Sequence, residues 1–390
     1  MRGGIVKNIK GCIYCSIWIT SILFGYFFLY LPLLPLLFIK RKWFRRSTDI
    51  LFVMWESFNM ALTELIFNSK VTISGDYIRS DESSIFVVNH RTRVDWNYLF
   101  VGIHKITYPA NNNAKFVLKQ EVRMIPGVGW TLQCTRSLYI CRSWSSDEDR
   151  MNRMLDYLSD DEEHPYQLIL FPEGTNLTNK TKVCSDKYAM SNGQKPFEYL
   201  LFPRTTGFGF LANKMRERKR LDAIYDITLS YPDVIPETEM DVIHGNLPQR
   251  VHMHVKRHPC KSIPTTLIGL EKWLLELWRE KEKYLEIFYT TSKTENMDKS
   301  SSFKSGINHL HLSSLMAWAL FFYITFSWIF SHPFYATIYL SLSTLAIVLL
   351  SKYTPGIQEL ELKLHNGGFF QSILNFSKEF CHNYSKKKHD

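Results

Sequence analysis

The sequence lacks the cysteine pattern of a metal-binding or disulfide-stabilised domain. Cys12 and Cys15 form a C-x-x-C pair, but no second pair completes a zinc site, and no adjacent βαβ pattern indicates a redox site. The pair lies inside an apolar segment, and the other cysteines are scattered along the chain. We therefore expect free thiols and a reducing environment for the soluble part.

Acidic residues are few relative to basic ones. The chain has 37 Asp and Glu against 47 Lys and Arg, which gives a net charge of +10 at pH 7. Such a surface suits phosphate-bearing partners, whether nucleic acid, anionic lipid headgroups or a phosphorylated cofactor. No internal repeat is evident, and 390 residues leave room for about one catalytic domain once membrane segments are subtracted.

Charge is absent altogether from Cys12 to Ile39, a run bounded by Lys10 and by a basic cluster at residues 40–46. At about 1.5 Å per residue, a helix of this length crosses the roughly 30 Å hydrocarbon core of a bilayer. The run is too long for a signal peptide and shows no clear small-residue cleavage site. Residues 1–46 are therefore predicted to be a membrane anchor with basic flanks, which either spans or is bent and re-entrant at Pro32 and Pro35.

Two further uncharged runs, Ser313 to Ser331 and Phe334 to Ser351, are separated only by His332-Pro333. Each is just long enough to span, and proline at the join suits a tight turn. We predict a transmembrane helical hairpin at residues 307–352; the alternative is a pair of buried core helices, but neither run shows the polar stripe of a surface-packed helix. A Ser- and Lys-rich linker precedes the hairpin at residues 292–306, and a basic tail follows at 353–390. With these membrane segments, lipid rather than nucleic acid is the expected phosphate-bearing partner.

Between residues 47 and 291, short apolar runs alternate with segments of helical spacing. Strands are predicted at SSIFVVN, AKFVLK, SLYIC, YQLILF, AIYDITLSY and RVHMHVK. Helices are predicted at VDWNYLFVGIHKI, DEDRMNRMLDYLSD and TTLIGLEKWLLELWREKEKYLEIF. This alternation predicts a catalytic domain of the α/β class with a largely buried sheet.

The stretch FVVNHRTRVDWNYLF, residues 86–100, holds a histidine and an aspartate at H-x-x-x-x-D spacing. The strand is predicted to end at Val88 and the helix to begin near Val94, so His90 lies on the connecting loop. On a single helix the two side chains would point about 140° apart, so only the bend between strand and helix can bring them together. There, His90 can act as a general base while Asp95 fixes its tautomer. Taken alone, the spacing favours a structural histidine.

Other polar residues follow predicted strands. LILFPEGT, residues 168–175, ends in Glu173, Gly174 and Thr175, and the last two can present backbone N–H groups to an anion. Arg142 comes just after another strand, and Arg204 in FPRTTGF is a second candidate for binding phosphate.

A further pair, His252 and His254, alternates on one strand and so shares a face. No third ligand stands at a helpful spacing, and the pair is interpreted as ordinary face residues rather than metal ligands.

The ordered motifs resemble those of the glycerolipid and lysophospholipid acyltransferase family. The residues that carry this resemblance are Asn89-His90 with Asp95, Ile140-Cys141-Arg142 and Phe171-Pro172-Glu173-Gly174-Thr175. The stretches NHRTRVDW, LFPRTTGF and DITLSYP further resemble the lysocardiolipin acyltransferase branch, which also contains lysophosphatidylinositol and lysophosphatidate acyltransferases. The resemblance runs from about Trp18 to the C-terminal hairpin and is densest over residues 87–232. In the fourth block, ITLSYP replaces a more usual apolar-Pro-Val pattern.

The resemblance implies a glycerol-3-phosphate acyltransferase-like α/β domain that transfers an acyl group from acyl-CoA to a free glycerol hydroxyl of an anionic lysophospholipid. Lysophosphatidylinositol, lysocardiolipin and lysophosphatidate are the candidate acceptors. His90 would take the proton of the hydroxyl as it attacks the thioester, with Asp95 holding the ring. No acyl-enzyme, metal or cofactor other than the acyl-CoA co-substrate is expected.

Substrate contacts are implied in the same way. The two arginines are expected to bind phosphate through charge-assisted hydrogen bonds, and Glu173 is expected to bind a glycerol or inositol hydroxyl or to orient a neighbouring arginine. The expected substrate-binding residues are Asn89, Arg142, Glu173, Gly174, Thr175 and Arg204.

Two other classes of function stay open at the level of sequence. A membrane-bound hydrolase could use His90 and Asp95 to activate water, and it would cleave acyl-CoA without an acceptor. A non-catalytic lipid-binding protein would keep the basic surface and the anchors but would tolerate loss of His90. The intact pair and Glu173 argue against the second of these.

The chain ends in NYSKKKHD, which places Lys387 and Lys388 at the positions of a dilysine signal that returns membrane proteins to the endoplasmic reticulum. Such a signal is read by a cytosolic coat, and a hairpin returns the chain to its starting side, so the catalytic domain is expected to face the cytosol. The basic cluster at 40–46 agrees if the first segment spans. The sequons at Asn176 and Asn179 would then stay unmodified. We predict a multi-pass protein of the endoplasmic reticulum membrane; the alternative for the tail is a solvated basic segment.

Overall fold

A computed structural model describes residues 2–108, 113–141, 143–291, 309–353 and 356–367. The chain divides into two compact units, each built from three stretches of sequence. The first unit comprises Met1–Ile17, Glu56–Val117 and Asp161–Leu312, and the second comprises Trp18–Trp55, Leu118–Asp160 and Ser313–Asp390. The predicted linker at 292–306 and the dilysine residues lie outside the described residues.

Nine strands lie in the described part of the chain. They are β1 (Lys70–Gly75), β2 (Ile78–Arg79), β3 (Ser84–Val88), β4 (Thr107–Tyr108), β5 (Ala114–Lys119), β6 (Leu138–Ile140), β7 (Gln167–Leu170), β8 (Ala223–Ser230) and β9 (Arg250–Pro259).

The helices below lie in the same described part of the chain. They are α1 (Arg2–Gly25), α2 (Leu31–Ile39), α3 (Arg41–Phe67), α4 (Asp95–Ile106), α5 (Val128–Cys134), α6 (Trp144–Ser159), α7 (Asn179–Ser191), α8 (Thr205–Glu217), α9 (Glu239–Ile243), α10 (Leu267–Thr291), α11 (His309–Ser331), α12 (Pro333–Tyr353) and α13 (Ile357–Gly367).

The first unit is built around a mixed sheet with strand order β1-β9-β8-β3-β7-β5. Strands β8 and β7 both run parallel to β3, whereas β9 runs antiparallel to β8 and parallel to β1. Every residue of β3, β7 and β8 is buried, as expected for strands covered on both faces. The parallel central strands end at the same edge of the sheet, and the loops after them carry the candidate site residues.

Helices pack on this sheet at close range. Helix α4 packs on β1 and β9, and α10 packs on β8 and α8. A Cβ atom at Gly102 of α4 would come within 2.3 Å of the Met253 sulfur on β9, so glycine at this position allows the helix to lie close to the sheet. The start of α4, which holds Asp95, is thereby fixed relative to the sheet.

The mixed α/β fold predicted from the sequence is confirmed. Each predicted strand stretch coincides with or overlaps one of β3, β5, β6, β7, β8 and β9, and the predicted helices appear as α4, α6 and α10. Strand β9 extends three residues beyond its predicted stretch, to Pro259. Strand β1 was not predicted, because its exposure alternates instead of forming an apolar run. That alternation is typical of an edge strand, and β1 stands at the end of the strand order.

The second unit has its own core of large apolar side chains. A cluster of buried residues joins the turn at Tyr26–Tyr30 to helices α2, α3, α5, α12 and α13, and its members include Tyr26, Phe44, Trp130, Ile347 and Leu364. Arg136 is fully buried there and is neutralised by two carboxylates: Asp49 at 2.5 Å and Glu361 at 3.6 Å. Removing one partner of such a buried pair typically costs about 3–5 kcal/mol, so we regard it as part of this unit's structure.

Four helical segments in the described ranges are long and apolar enough to cross a membrane: Gly4–Ile39, Arg41–Phe67, His311–Ser331 and Pro333–Lys352. In Arg41–Phe67, 61% of the apolar window is buried inside the protein, against 17% and 11% for the two C-terminal helices. Packing within the protein therefore already accounts for much of the apolar character of α3. The first segment and the last two, in contrast, leave most of their apolar surface uncovered, which indicates a membrane protein.

Residues Tyr26–Tyr30 form a π-helical turn between α1 and α2, where the N–H of Leu31 bonds the carbonyl of Tyr26. Pro32 then lies in the first turn of α2, where its missing N–H is tolerated. The predicted end of the membrane anchor at residue 46 falls inside α3, which runs unbroken from Arg41 to Phe67.

Candidate active site

The candidate site begins where β3 ends. The strand stops at Val88, the loop carries His90, and α4 begins at Asp95 with Val94 as its N-cap. His90 Nδ1 lies 2.9 Å from Asp95 Oδ2. The bend between strand and helix brings the two side chains together, as the spacing predicted.

Asp95 is the buried member of this pair and His90 the accessible one. The Asp95 side chain is 0% exposed, whereas His90 is 23% exposed. Asp95 Oδ2 also accepts the Thr92 backbone N–H at 2.9 Å. A carboxylate held in this way requires the proton on Nδ1 of His90, which leaves the Nε2 lone pair available as a base.

Glu173 supports the histidine loop from the next strand. It follows β7, which pairs with β3, and it is only 6% exposed. One carboxylate oxygen accepts the His90 backbone N–H at 3.1 Å, and the other accepts the Leu201 N–H at 3.2 Å. Burial raises the pKa of Glu173 to about 8, against the opposing effect of these two backbone donors. These contacts differ from the predicted one to a substrate hydroxyl or an arginine, and they give Glu173 a supporting part.

The loop after β7 closes tightly around His90. Gly174 has a φ of +69°, a conformation that favours glycine, and its N–H donates to the Phe171 carbonyl at 2.9 Å. This N–H closes a turn, and its predicted contact with an anion stays a prediction. The Leu177 N–H donates to the His90 carbonyl at 2.9 Å, and the Phe171 ring lies 4.6 Å from the imidazole. Thr175 is half-buried between these anchors.

Asn89 is part of the sheet rather than of an open pocket. It is buried, its amide nitrogen donates to the Leu229 carbonyl at 3.0 Å, and its oxygen accepts the Leu229 N–H at 2.8 Å. This reciprocal pair ties the end of β3 to β8. Both polar atoms of the Asn89 side chain bond the backbone of Leu229, and substrate binding by Asn89 stays a prediction.

Of the two candidate phosphate-binding arginines, Arg204 lies in the described part and Arg142 does not. Arg204 is exposed, and its guanidinium carbon lies 3.8 Å from the centre of the Tyr188 ring. Its N–H donates to the Pro172 carbonyl at 2.8 Å, which links it to the loop that carries Glu173.

His252 and His254 both contact one hydroxyl. Ser74 Oγ lies 3.0 Å from His252 Nε2 and 2.8 Å from His254 Nδ1. The two rings stack on Phe288 and Tyr284 of α10. These are packing and hydrogen-bond contacts within the sheet and its covering helix.

Comparison with known proteins gives a consistent family assignment. A family model described as Acyltransferase matches residues 70–232, and one described as Acyltransferase C-terminus matches 241–318. The crystal structure of PlsC, a 1-acyl-sn-glycerophosphate (LPA) acyltransferase from Thermotoga maritima, superposes with a TM-score of 0.46 at 16% identity, over 73% of this chain and 98% of that one. Lysophosphatidylinositol acyltransferase 10 of Caenorhabditis elegans is 32% identical over 81% of this chain and 83% of its own. Lysocardiolipin acyltransferase 1 of Gallus gallus is 36% identical over 98% of this chain and 97% of its own.

The chain belongs to the lysophospholipid acyltransferase family. It is therefore an acyltransferase that transfers acyl groups other than amino-acyl groups, as its motifs predicted. The first matched region begins at β1 and ends just after β8, so it contains every described residue around His90 named above.

Sequence reasoning missed one residue of this acyltransferase site. Tyr231 directly follows β8, is 1% exposed, and donates its hydroxyl to Asp95 Oδ1. Its position could have suggested this contact, because β8 is parallel to β3 and parallel neighbours end at the same edge of a sheet. Buried tyrosine hydroxyls also usually find a hydrogen-bond partner.

The stability of the acyltransferase is expected to depend on pH through Glu173. Because the pKa of Glu173 is raised from its ordinary value of 4.5 to about 8 in the folded chain, the folded state holds this proton more tightly than the unfolded state. The resulting stabilisation is complete below the unfolded pKa and is lost as pH rises through the folded pKa. We expect the thermal unfolding midpoint of the wild type, measured in detergent, to fall relative to that of Glu173→Gln as the pH rises from 5 to about 8.

The exposed Glu162→Gln is the matched control, and its midpoint should follow that of the wild type throughout. Parallel curves for the wild type and Glu173→Gln over this range would contradict a protonated Glu173.

Proposed function

We propose that this acyltransferase transfers a fatty acyl group from acyl-CoA to a free glycerol hydroxyl of an anionic lysophospholipid. The observation that carries the proposal is the pair of a fully buried Asp95 and an accessible His90, joined at 2.9 Å on the family's motif. The names of the relatives suggest the acceptor class, since one is a lysocardiolipin and another a lysophosphatidylinositol acyltransferase. Lysophosphatidate is the third candidate.

The proposed reaction is a direct transfer. His90 Nε2 takes the proton of the acceptor hydroxyl as the oxygen attacks the thioester carbonyl, and Asp95 stabilises the resulting imidazolium. Collapse of the tetrahedral intermediate breaks the carbon–sulfur bond, and His90 returns the proton to the leaving CoA thiolate. Atoms and charge balance without an acyl-enzyme, so no metal or further cofactor is invoked.

Binding of the phosphates is assigned to the basic residues around this reaction. Arg142 and Arg204 are proposed to bind phosphate of the lysolipid or of CoA, with Thr175 as a further substrate contact. Glu173, Gly174 and Asn89 are proposed to act through the backbone, by holding the two loops on either side of His90 in place.

The head group can be identified with a lysolipid panel. Membranes that contain the protein are incubated with one labelled acyl-CoA and with lysophosphatidylinositol, lysocardiolipin, lysophosphatidate or neutral lysophosphatidylcholine. The proposal expects new diacyl product from one or more anionic acceptors and much less from the choline lipid. Equal transfer to every acceptor would contradict selection of anionic lysolipids.

We also propose a location for the enzyme. The N-terminal segment through Ile39 is proposed to enter the bilayer, and α11 and α12 to form a transmembrane hairpin, in the endoplasmic reticulum membrane. The catalytic unit would face the cytosol, where acyl-CoA is available to it, and the tail with Lys387 and Lys388 would be open to coat recognition.

The orientation predicts that the chain carries no glycan. Asn176 is buried, but Asn179 is exposed at the start of α7, so an Asn179-Lys-Thr sequon in the lumen would be accessible for modification. We expect the mobility of the wild type on a denaturing gel to be unchanged by endoglycosidase and equal to that of Asn179→Gln. A shift that endoglycosidase reverses, and that Asn179→Gln lacks, would place the catalytic unit in the lumen.

A further inference from the structure

The carboxylate of Asp95 has three hydrogen-bond donors around it, and one of them is a side chain outside the histidine loop. Oδ2 accepts from His90 Nδ1 and from the Thr92 N–H, both at 2.9 Å. Oδ1 accepts from the Tyr231 hydroxyl. The order is therefore Tyr231, Asp95, His90, and only His90 has appreciable solvent access.

We propose that Tyr231 is a positioning residue for acyl transfer, which fixes the Asp95 carboxylate beside His90 through a hydrogen bond to Oδ1. The inference rests on the proposed function, because it assigns a part in the same proton transfer. It adds a residue that acts through Asp95 without touching substrate.

Tyr231 is itself held from two elements. Its backbone N–H donates to the Tyr289 hydroxyl of α10 at 3.2 Å, and its ring meets the Tyr98 ring of α4 edge to face at 6.0 Å. With 1% of its surface exposed, the side chain is confined on all sides. The hydroxyl is therefore held against Asp95 by the packing of α4, β8 and α10 together.

In this contact the Tyr231 hydroxyl is the hydrogen-bond donor and Asp95 Oδ1 is the acceptor. Burial, and then the charge of Asp95, hold the pKa of Tyr231 well above its ordinary value, so the phenol remains a donor at every working pH. A hydrogen bond from a neutral donor favours the charged form of a carboxylate. Without it, Oδ1 would be a buried acceptor with one donor fewer, and the carboxylate would be held less firmly beside His90.

Several other titratable groups surround the pair and must be considered in any pH test. His90 contacts Asp95 directly. Tyr98, Glu173 and Tyr289 interact with the charge of Asp95, and Arg91 interacts in the same way with Tyr289. Burial raises the pKa of Glu173 to about 8, which lies within the usual assay range. For that reason Glu173 is not substituted in the test variants.

The first test variant is Tyr231→Phe, which removes one oxygen and keeps the ring. We expect kcat to fall about 10- to 100-fold, as for loss of a hydrogen bond to a charged group, while the KM values for both substrates stay close to those of the wild type. Activity is expressed per molecule of monodisperse purified protein, so a loss of folded material does not count as a loss of kcat.

Tyr98→Phe is the matched control. It removes the hydroxyl of a neighbouring buried tyrosine that makes no hydrogen bond to Asp95 in the described structure. We expect this variant to keep the wild-type kcat and pH profile. An equal loss in both variants would assign the effect to packing and overturn the positioning role.

A double-mutant cycle gives an independent test. If Tyr231 acts through Asp95, Tyr231→Phe should cause little further loss in an Asp95→Asn background. Losses that multiply would show that the two residues act separately, and a Tyr231→Phe enzyme with the wild-type kcat would remove the proposal directly. A wild-type protein without acyl transfer would instead refute the proposed function, so the two failures are distinct.

Discussion

Replacing His90 with alanine is expected to reduce acyl transfer by about 10²- to 10⁴-fold, the usual contribution of a general base. The lysolipid hydroxyl is a poor nucleophile at neutral pH, and His90 Nε2 is the group proposed to take its proton. The fold should survive, because the histidine loop is also held by backbone bonds from His90 to Glu173 and Leu177, which alanine retains. Labelled product from acyl-CoA and the preferred lysolipid is the measurement.

His244→Ala is the matched control for this substitution. His244 is an exposed histidine of the same unit and lies just after α9. Its removal should leave both turnover and detergent extraction unchanged. Near-normal turnover in His90→Ala would show that the base is elsewhere.

Asp95→Asn is expected to produce a loss of about 10⁴-fold in kcat with little change in acyl-CoA affinity. The amide would present an NH₂ group where the carboxylate accepts hydrogen bonds from the His90 ring and the Thr92 N–H. If the amide donates to Nδ1, the ring proton must move to Nε2, and the base is lost. If the amide oxygen faces Nδ1 instead, its NH₂ group replaces the acceptor of the Tyr231 hydroxyl. The imidazolium also loses its counter-charge in either orientation.

The control for Asp95→Asn is a carboxylate with a similar backbone contact away from the site. Asp222 accepts the Ser83 N–H at 2.8 Å, so Asp222→Asn repeats the chemical change without touching the histidine. We expect its kcat to match the wild type. A rise in KM for acyl-CoA with unchanged kcat in Asp95→Asn would indicate a binding role in place of a catalytic one.

The local sequence pattern was sufficient to predict strands that are buried along their whole length and contacts between residues that lie close in sequence. Strands β3, β7 and β8 are buried along their whole length, and their apolar runs show this directly. The His90–Asp95 contact needs only a strand that ends before the histidine and a helix that begins at the aspartate, and both boundaries can be predicted from a few residues.

Contacts that join distant parts of the chain could not be predicted in the same way. The Tyr231 hydroxyl meets Asp95 only because β8 lies beside β3, and strand order is not encoded in the spacing of either segment. The resemblance implied that Glu173 binds a glycerol or inositol hydroxyl or orients an arginine, whereas in the structure its two oxygens accept the backbone N–H groups of His90 and Leu201. The motif indicated which residues matter, whereas their partners depend on the assembled sheet.

The most direct measurement of the central claim follows both products of one reaction. Purified wild-type protein in mixed detergent–lipid micelles is given acyl-CoA with and without the preferred anionic lysolipid, and free CoA and new phospholipid ester are measured together over time. The account predicts that CoA and ester appear in equal amounts when lysolipid is present, and that CoA release nearly stops without it or in His90→Ala. Release of CoA at the same rate with or without lysolipid, together with free fatty acid, would contradict the account and show a hydrolase.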